Sequence, residues 1–215
     1  QLDEACEKYG LKTMSIGHDP ITDIKDVPNN PKKRYDVMTE EMPKSGELSL
    51  EMMYQTCGTQ INLDYTSESD FKKKFKIISF LTPLTIALFS NSPIKKNTPT
   101  GLLSYRSKVW QSTSRGGLPD IFLEDMDFEK YADFSLNFNL LFLFENNRYN
   151  SANGKNFQDL INEQKANSEN LQLHLSTIFT ELRLKKYIEL RSIDKLFLHP
   201  LLKYLITSSF DLIFI

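Results

Sequence analysis

Gly58–Tyr65 reads GTQINLDY, and its side chains alternate without a break. Gln60, Asn62 and Asp64 fall on one face and Ile61, Leu63 and Tyr65 on the other, which is the period of a half-buried strand. The polar face carries amides and a carboxylate where Lys or Ser would be ordinary. Just beyond it Ser67 is placed as a helix N-cap with Asp70 three residues on, and KKKFK followed by an apolar run carries that helix to Phe89. Upstream, Leu2, Ala5, Cys6 and Tyr9 have helical spacing within residues 2–14, closing near Gly10. Residues 17–34, with Pro20, Pro28 and Pro31, read as loop. Tyr35–Met42 returns to helix until Pro43 and Gly46 end it, and Glu47–Tyr54 is a short helix. Downstream, residues 91–117 are mostly loop, with LLSYRSKVW (102–110) as the one compact piece. Phe128–Phe134 reads as helix, and Leu140–Tyr149 as a strand or hairpin turning at Asn146-Asn147. Residues 150–170 read as a helix plus a loop, and HLSTIFTELRL (174–184) as strand-like ahead of KKYIELRS (185–192). No internal repeat is visible.

The bulk properties exclude several classes. Lys plus Arg number 26 against 28 Asp plus Glu, a net charge of -2, so no global field draws a nucleic acid. Cys6 and Cys57 are too few for a disulfide framework and fit a reducing compartment, here the cytoplasm. The apolar run 77–89 is too short to span a bilayer and contains Pro83, the C-terminal run from Leu196 is interrupted by His199, Pro200, Lys203 and Asp211, and QLDEACEKYG is no signal peptide. The chain opens on what reads as mid-helix and stops inside an apolar stretch, so both ends are expected to be incomplete.

Three long blocks, in this order, resemble glutamate-cysteine ligases of the plant and proteobacterial type. They are RYDVMTEEMPKSGELSLEMMYQTCGTQINLDYTSESDFKKKF (34–75), PLTIALFSNSPIKKNTPTGLLSYRSKVW (83–110) and HLSTIFTELRLKKYIELRSID (174–194), within a resemblance that covers roughly residues 1–200. Where the family usually shows Pro-Glu-Val-Arg this chain has Thr180-Glu181-Leu182-Arg183, and where it shows Arg-Gly-Ala-Asp this chain has Arg191-Ser192-Ile193-Asp194. The resemblance implies an α+β, glutamine-synthetase-like carboxylate-amine ligase fold, an antiparallel sheet with helices outside and substrates in the concave face. It also implies that residues 1–215 are part of a single catalytic domain whose Glu-rich metal and nucleotide segment lies before Gln1. The implied reaction joins the γ-carboxylate of glutamate to the amine of cysteine with ATP and Mg2+, through a γ-glutamyl phosphate. Glutamate, cysteine and ATP would be the partners, with no nucleic acid or membrane, and with monomer or homodimer undecided. The localisation would be cytoplasmic in a bacterium and plastid in a plant. Two other readings stay open: a carboxylate-amine ligase with a different amine, and a non-catalytic relative that keeps the fold.

On that resemblance the chemistry selects residues. An α-carboxylate is best gripped by a guanidinium fork, and Arg34 (in KKRY) and Arg106 (in LSYRSKVW) are the candidates, with Tyr105 and Trp110 as pocket walls and Thr56 as a hydrogen-bond donor to glutamate. Hard magnesium takes oxygen ligands, which puts forward Gln60 on the polar strand face, the alternative being a solvated face. Glu189 and Arg191 are two apart, so in an extended strand they share a face, a carboxylate for metal beside a cation for phosphate; Glu181 and Arg183 repeat the spacing. Arg191 and Arg183 are thus the expected catalytic cations and Glu189 the expected metal ligand, against the plainer reading of surface ion pairs. Cys57 has no His-Asp set beside it and is read as packing. His174 is open between a phosphate contact and a core hydrogen bond.

Overall fold

The structure, a computed structural model, describes residues 2–195. Its elements run α1 (Leu2–Glu7), α2 (Arg34–Glu41), α3 (Ser49–Tyr54), β1 (Gly58–Leu63), α4 (Glu68–Leu88), β2 (Ile94–Lys95), β3 (Thr98–Pro99), α5 (Tyr105–Gln111), α6 (Phe128–Asn137), β4 (Phe142–Glu145), β5 (Arg148–Ser151), α7 (Phe157–Asn162), α8 (Ser168–Ser176), β6 (Leu182–Leu184) and β7 (Ile188–Asp194). The fold is α+β. Its main sheet is antiparallel in the order β1-β7-β6, and β2-β3 and β4-β5 form separate hairpins. Asn146 and Asn147, with φ of 51° and 62°, make the β4–β5 turn, the left-handed pair that a two-residue hairpin demands.

Strand β1 shows the expected alternation, Gly58, Gln60 and Asn62 exposed and Leu63 buried. Leu63, Leu182, Ile188, Leu190 and Ile193 turn to one face of the sheet and pack with Phe71, Phe75 and Ile78 of α4 and with Phe122, Met126 and Tyr131. Helix α4 begins as read, with the Ser67 hydroxyl accepting the Asp70 N–H. Pro83, expected to break the apolar run, lies inside the helix. Packing of the helix on β7 holds the turn that lacks its N–H; the Thr85 and Ser192 hydroxyls meet at 2.8 Å across that contact. The opposite side of α4 changes character along its length. Lys72 and Lys76 reach Asp127 and Asp125, whereas Phe80, Leu84 and Leu88 follow as an exposed apolar stripe.

A bulge in the main sheet matters for the site. Thr59 pairs with Ile193 and Ile61 with Leu190, so Arg191 and Ser192 together face Gln60. The extra residue shifts the phase of β7, and Asp194 therefore turns to the side of Glu189 and Arg191, while Ser192 turns to α4.

One reading is corrected. Residues 174–176 are not strand; they end α8, and the chain is irregular until β6. Asn167 caps α8, and Asn170 inside it turns its amide to the edge of β4, accepting Phe144 N–H at 2.8 Å and donating to Phe144 O at 3.2 Å. The β-branched residues of the segment, Thr177, Ile178 and Thr180, all lie beyond the helix, which its cap and the Asn170 bridge hold in place. Among the described residues no helix is long and apolar enough to cross a membrane. The apolar run read from Leu196 lies outside them.

Candidate active site

Between the polar face of the main sheet and helices α2, α3 and α5 lies a cavity of ≈ 280 Å³. Arg34, Thr56, Gln60, Arg106, Trp110 and Arg191 all line it, six positions singled out in the sequence. Its remaining wall is chiefly apolar, from Met38, Met52, Met53, Phe142 and Phe179. The arrangement has a cationic end and an oily side.

Arg106 is the second residue of α5, a helix capped by Ser104, and it is only 2% exposed. Its Nη2 donates to the Arg191 carbonyl at 2.6 Å, Nη1 lies 3.8 Å from Asp194 Oδ1, and its guanidinium sits 4.3 Å from the centre of the Trp110 ring. Nε and Nη1 have no hydrogen-bond partner. Arg191 stands 5.2 Å from the same ring; its Nη1 donates to Glu189 at 3.0 Å while Nε is unpartnered. Arg34 also keeps a buried Nε without a partner. Burial depresses the affinity of both Arg106 and Arg191 for their protons, opposed in Arg106 by Glu181 and Asp194, and in Arg191 helped by the charge of Arg183 and opposed by Glu189. Arginine remains charged at neutral pH even so. Buried, charged and short of acceptors, these forks are built to receive an anion.

Other expected residues are placed differently. Thr56 lines the cavity, but its hydroxyl donates to Met52 O at 2.7 Å and accepts Trp110 Nε1 at 3.2 Å, so it positions Trp110 and has no proton spare for a ligand. Tyr105 faces away from the cavity: its hydroxyl meets Lys95 at 2.6 Å and Glu51 at 3.3 Å, and its ring packs edge-on to His18. Consecutive helical residues diverge by about 100°, which sends Tyr105 and Arg106 to different sides. Glu189 is not free for a metal. Arg183, Lys185 and Arg191 hold it at 2.6, 2.7 and 3.0 Å, and although burial pushes its carboxyl up, those partners bring it down to about 2. Arg183 spends its fork on Glu189 and on the carbonyls of Ser176 and Ile178, away from the cavity. His174 is a core residue, its Nε2 2.6 Å from Ser135 O and its ring stacked on Phe157, and burial lowers its proton affinity. Cys57, read as packing, is exposed.

Four participants escaped the sequence reading. Gly58 lets β1 pass close to Arg106, since a Cβ there would stand 3.0 Å from Nη2. Asp194 accepts hydrogen bonds from Asn91 N–H, Ser92 and Ser104, which ties α5 to β7. Arg115 donates to Thr177 O and Asn139 O and so fixes the 177–179 wall. Glu181, noted only as half of a pair with Arg183, is buried, and its main-chain carbonyl accepts Arg191 N–H at 2.8 Å. A glycine opening a strand was the one available signal; the rest depends on contacts distant in sequence.

Fold and cavity together define an antiparallel sheet whose polar face borders a cavity with a cationic end. A family-wide sequence profile described as Glutamate-cysteine ligase family 2 matches residues 1–200, and the chain belongs to that family. It is 37% identical over 204 residues to glutamate–cysteine ligase A, chloroplastic, of Oryza sativa subsp. japonica, 90% of this chain and 42% of that protein. It is 38% identical over 204 residues to the chloroplastic glutamate–cysteine ligase of Medicago truncatula, again 90% of this chain and 40% of the relative. With the chloroplastic enzyme of Arabidopsis thaliana the figures are 37%, 90% and 39%. The chain thus spans about two fifths of the length of these relatives.

Proposed function

We propose that this chain is part of the catalytic domain of an ATP-dependent ligase that joins the γ-carboxylate of glutamate to the amine of cysteine, on a glutamine-synthetase-like fold. The observation that carries the reading is the cationic end of the cavity, where Arg106 and Arg191 are buried with N–H groups unpaired and Arg34 joins them. In this reaction a γ-carboxylate oxygen attacks the terminal phosphorus of ATP and ADP leaves. The cysteine amine then attacks the acyl carbon, loses a proton and expels phosphate. No enzyme nucleophile is needed, in keeping with a chemistry that asks chiefly for position and positive charge. Arg106 binds the α-carboxylate of glutamate, held in place by Trp110 and the Arg191 carbonyl. Arg191, fixed by Glu189, offers charge to the developing phosphoryl oxygens.

Magnesium accompanies ATP in this reading, yet the described residues do not fit a resident ion. No group of three His, Cys, Asp or Glu among them could hold one, Glu189 is fully engaged by cations, and Gln60 supplies a single exposed amide. What these side chains do is bind and orient anions. The relatives are named chloroplastic, and a plastid location follows for this protein if its source is a plant, the cytoplasm otherwise. The test is product formation by the full-length gene product with ATP, glutamate and a panel of amines. γ-Glutamylcysteine as the preferred product supports the reading; ligation of another amine in preference to cysteine, or no ligation at all, rejects it.

A further inference from the structure

Glu181 is 1% exposed and neither of its carboxylate oxygens has a hydrogen-bond partner. Its main chain is fixed on both sides: the N–H donates to Gly117 O and the carbonyl accepts Arg191 N–H, each at 2.8 Å. Only the side chain can turn. The charges it feels are those of Arg106 and Arg191, which favour its ionised form, and Asp194, which opposes it; burial itself outweighs them and pushes the carboxyl up. The same two arginines carry the unpaired donors, Nε and Nη1 of Arg106 and Nε of Arg191. A buried carboxyl group lacking donors and two buried cations with N–H groups left unpaired therefore share one interior, and Glu181 is no part of the cavity wall. Two like charges beside one Trp110 ring repel each other, and an ionised acid whose charge both feel offsets that repulsion.

We propose that Glu181 is a positioning residue, an internal counter-ion that holds the guanidiniums of Arg106 and Arg191 together in the absence of substrate and competes with the anionic substrate for them. The proposal rests on the reading of Arg106 and Arg191 as the anion site. Glu181 touches no substrate; it sets how strongly the two cations reach for one. Removing its charge while keeping its shape should leave the forks more available to an incoming carboxylate or phosphate. Glu189 and Asp194 also face these cations, but Glu189 is shared with Arg183 and Lys185, and Asp194 with Asn91, Ser92 and Ser104, so they neutralise Arg191 and Arg106 only in part.

The experiment uses the full-length gene product with Glu181→Gln and Glu181→Met as neutral variants and Glu181→Asp as the conservative one, beside Arg106→Lys and Arg191→Lys. A neutral variant that folds should lower KM for glutamate about tenfold and strengthen inhibition by inorganic phosphate similarly, the order expected when one charge is removed near a partly buried pair. Turnover should fall less than KM, and Glu181→Asp should stay within about twofold of the parent in both. A purely structural residue would lower melting temperature without this split. If the arginine variants change KM but a folded neutral variant leaves it unchanged or raises it, Glu181 is not the counter-ion. Should the arginine variants also leave KM unchanged, the anion site itself is wrongly placed, and the counter-ion role falls with it.

Discussion

Arg106 holds three contacts at once, a carbonyl, a carboxylate and an aromatic face, and still has two N–H groups to offer. A lysine in its place keeps the charge but loses the planar fork. In the full-length gene product Arg106→Lys is expected to raise KM for glutamate roughly thirtyfold, about 2 kcal/mol, with a far smaller change for ATP, as read by initial rates with each substrate varied in turn. Equal changes for both substrates would remove Arg106 from the glutamate site. Glu189 answers to pH. Its folded carboxyl titrates at about 2 against an ordinary 4.5, so the folded state binds its proton less readily than the unfolded one. The stability it contributes is complete above the ordinary value and is lost as pH falls from about 4.5 through about 2. Glu189→Gln should cost about 3 kcal/mol at neutral pH, since three cations lose a buried partner, and should flatten the stability curve in that acid window in urea titrations. Cys57, being exposed, predicts a quieter outcome. Cys57→Ser should leave both maximal rate and melting temperature close to the parent's, whereas a thousandfold loss of rate would mean that the thiol takes part in the chemistry.

At the scale of elements, the loop before α2 is bound to the sheet by a glycine. Gly17 donates to Asn91 O and accepts Cys57 N–H, and a Cβ there would stand 2.4 Å from Asp194 Cγ. Because that carboxylate anchors Ser92 and Ser104, it cannot move aside without loosening α5. Gly17→Ala is therefore expected to destabilise by roughly 2 kcal/mol in chemical denaturation and to raise KM for glutamate as Arg106 shifts; a stable variant with native KM would show that the contact has slack. What the sequence revealed differs by element for a physical reason. Strand β1 was legible because one face is wet, so alternation survives in its residues. Strand β7 is buried along its whole length, with Ser192 and Asp194 satisfied by partners far away in the chain, and its bulge leaves no compositional mark. The last turn of helix α8, 174–176, was read as strand because its Asn167 cap and the bridge from Asn170 weigh little in a periodicity count. In the site, the blocks of family resemblance supplied Arg34, Arg106 and Arg191. Nothing in spacing could bring together three arginines so distant in sequence, or send Tyr105 away from its neighbour.

For the molecule as a whole, the cavity is made from segments between Arg34 and Arg191, so almost the entire described chain must be folded before it exists. The 215 residues span about two fifths of the length of their relatives, and the described part gathers no acidic cluster for a metal. The chain by itself is expected to show no phosphate release that depends on ATP, glutamate and cysteine together, and turnover above blank in that assay would overturn the expectation. The antiparallel partnership of β1 with β7, residues 58–63 with 188–194, has a further consequence during synthesis. More than a hundred residues separate the two strands, and a ribosome adding about 5–20 residues per second leaves β1 waiting on the order of 10 s for its partner. Through that interval the nascent strand has an open edge, the kind of surface that recruits chaperones or other nascent chains, so the speed of translation enters the yield of correctly paired protein.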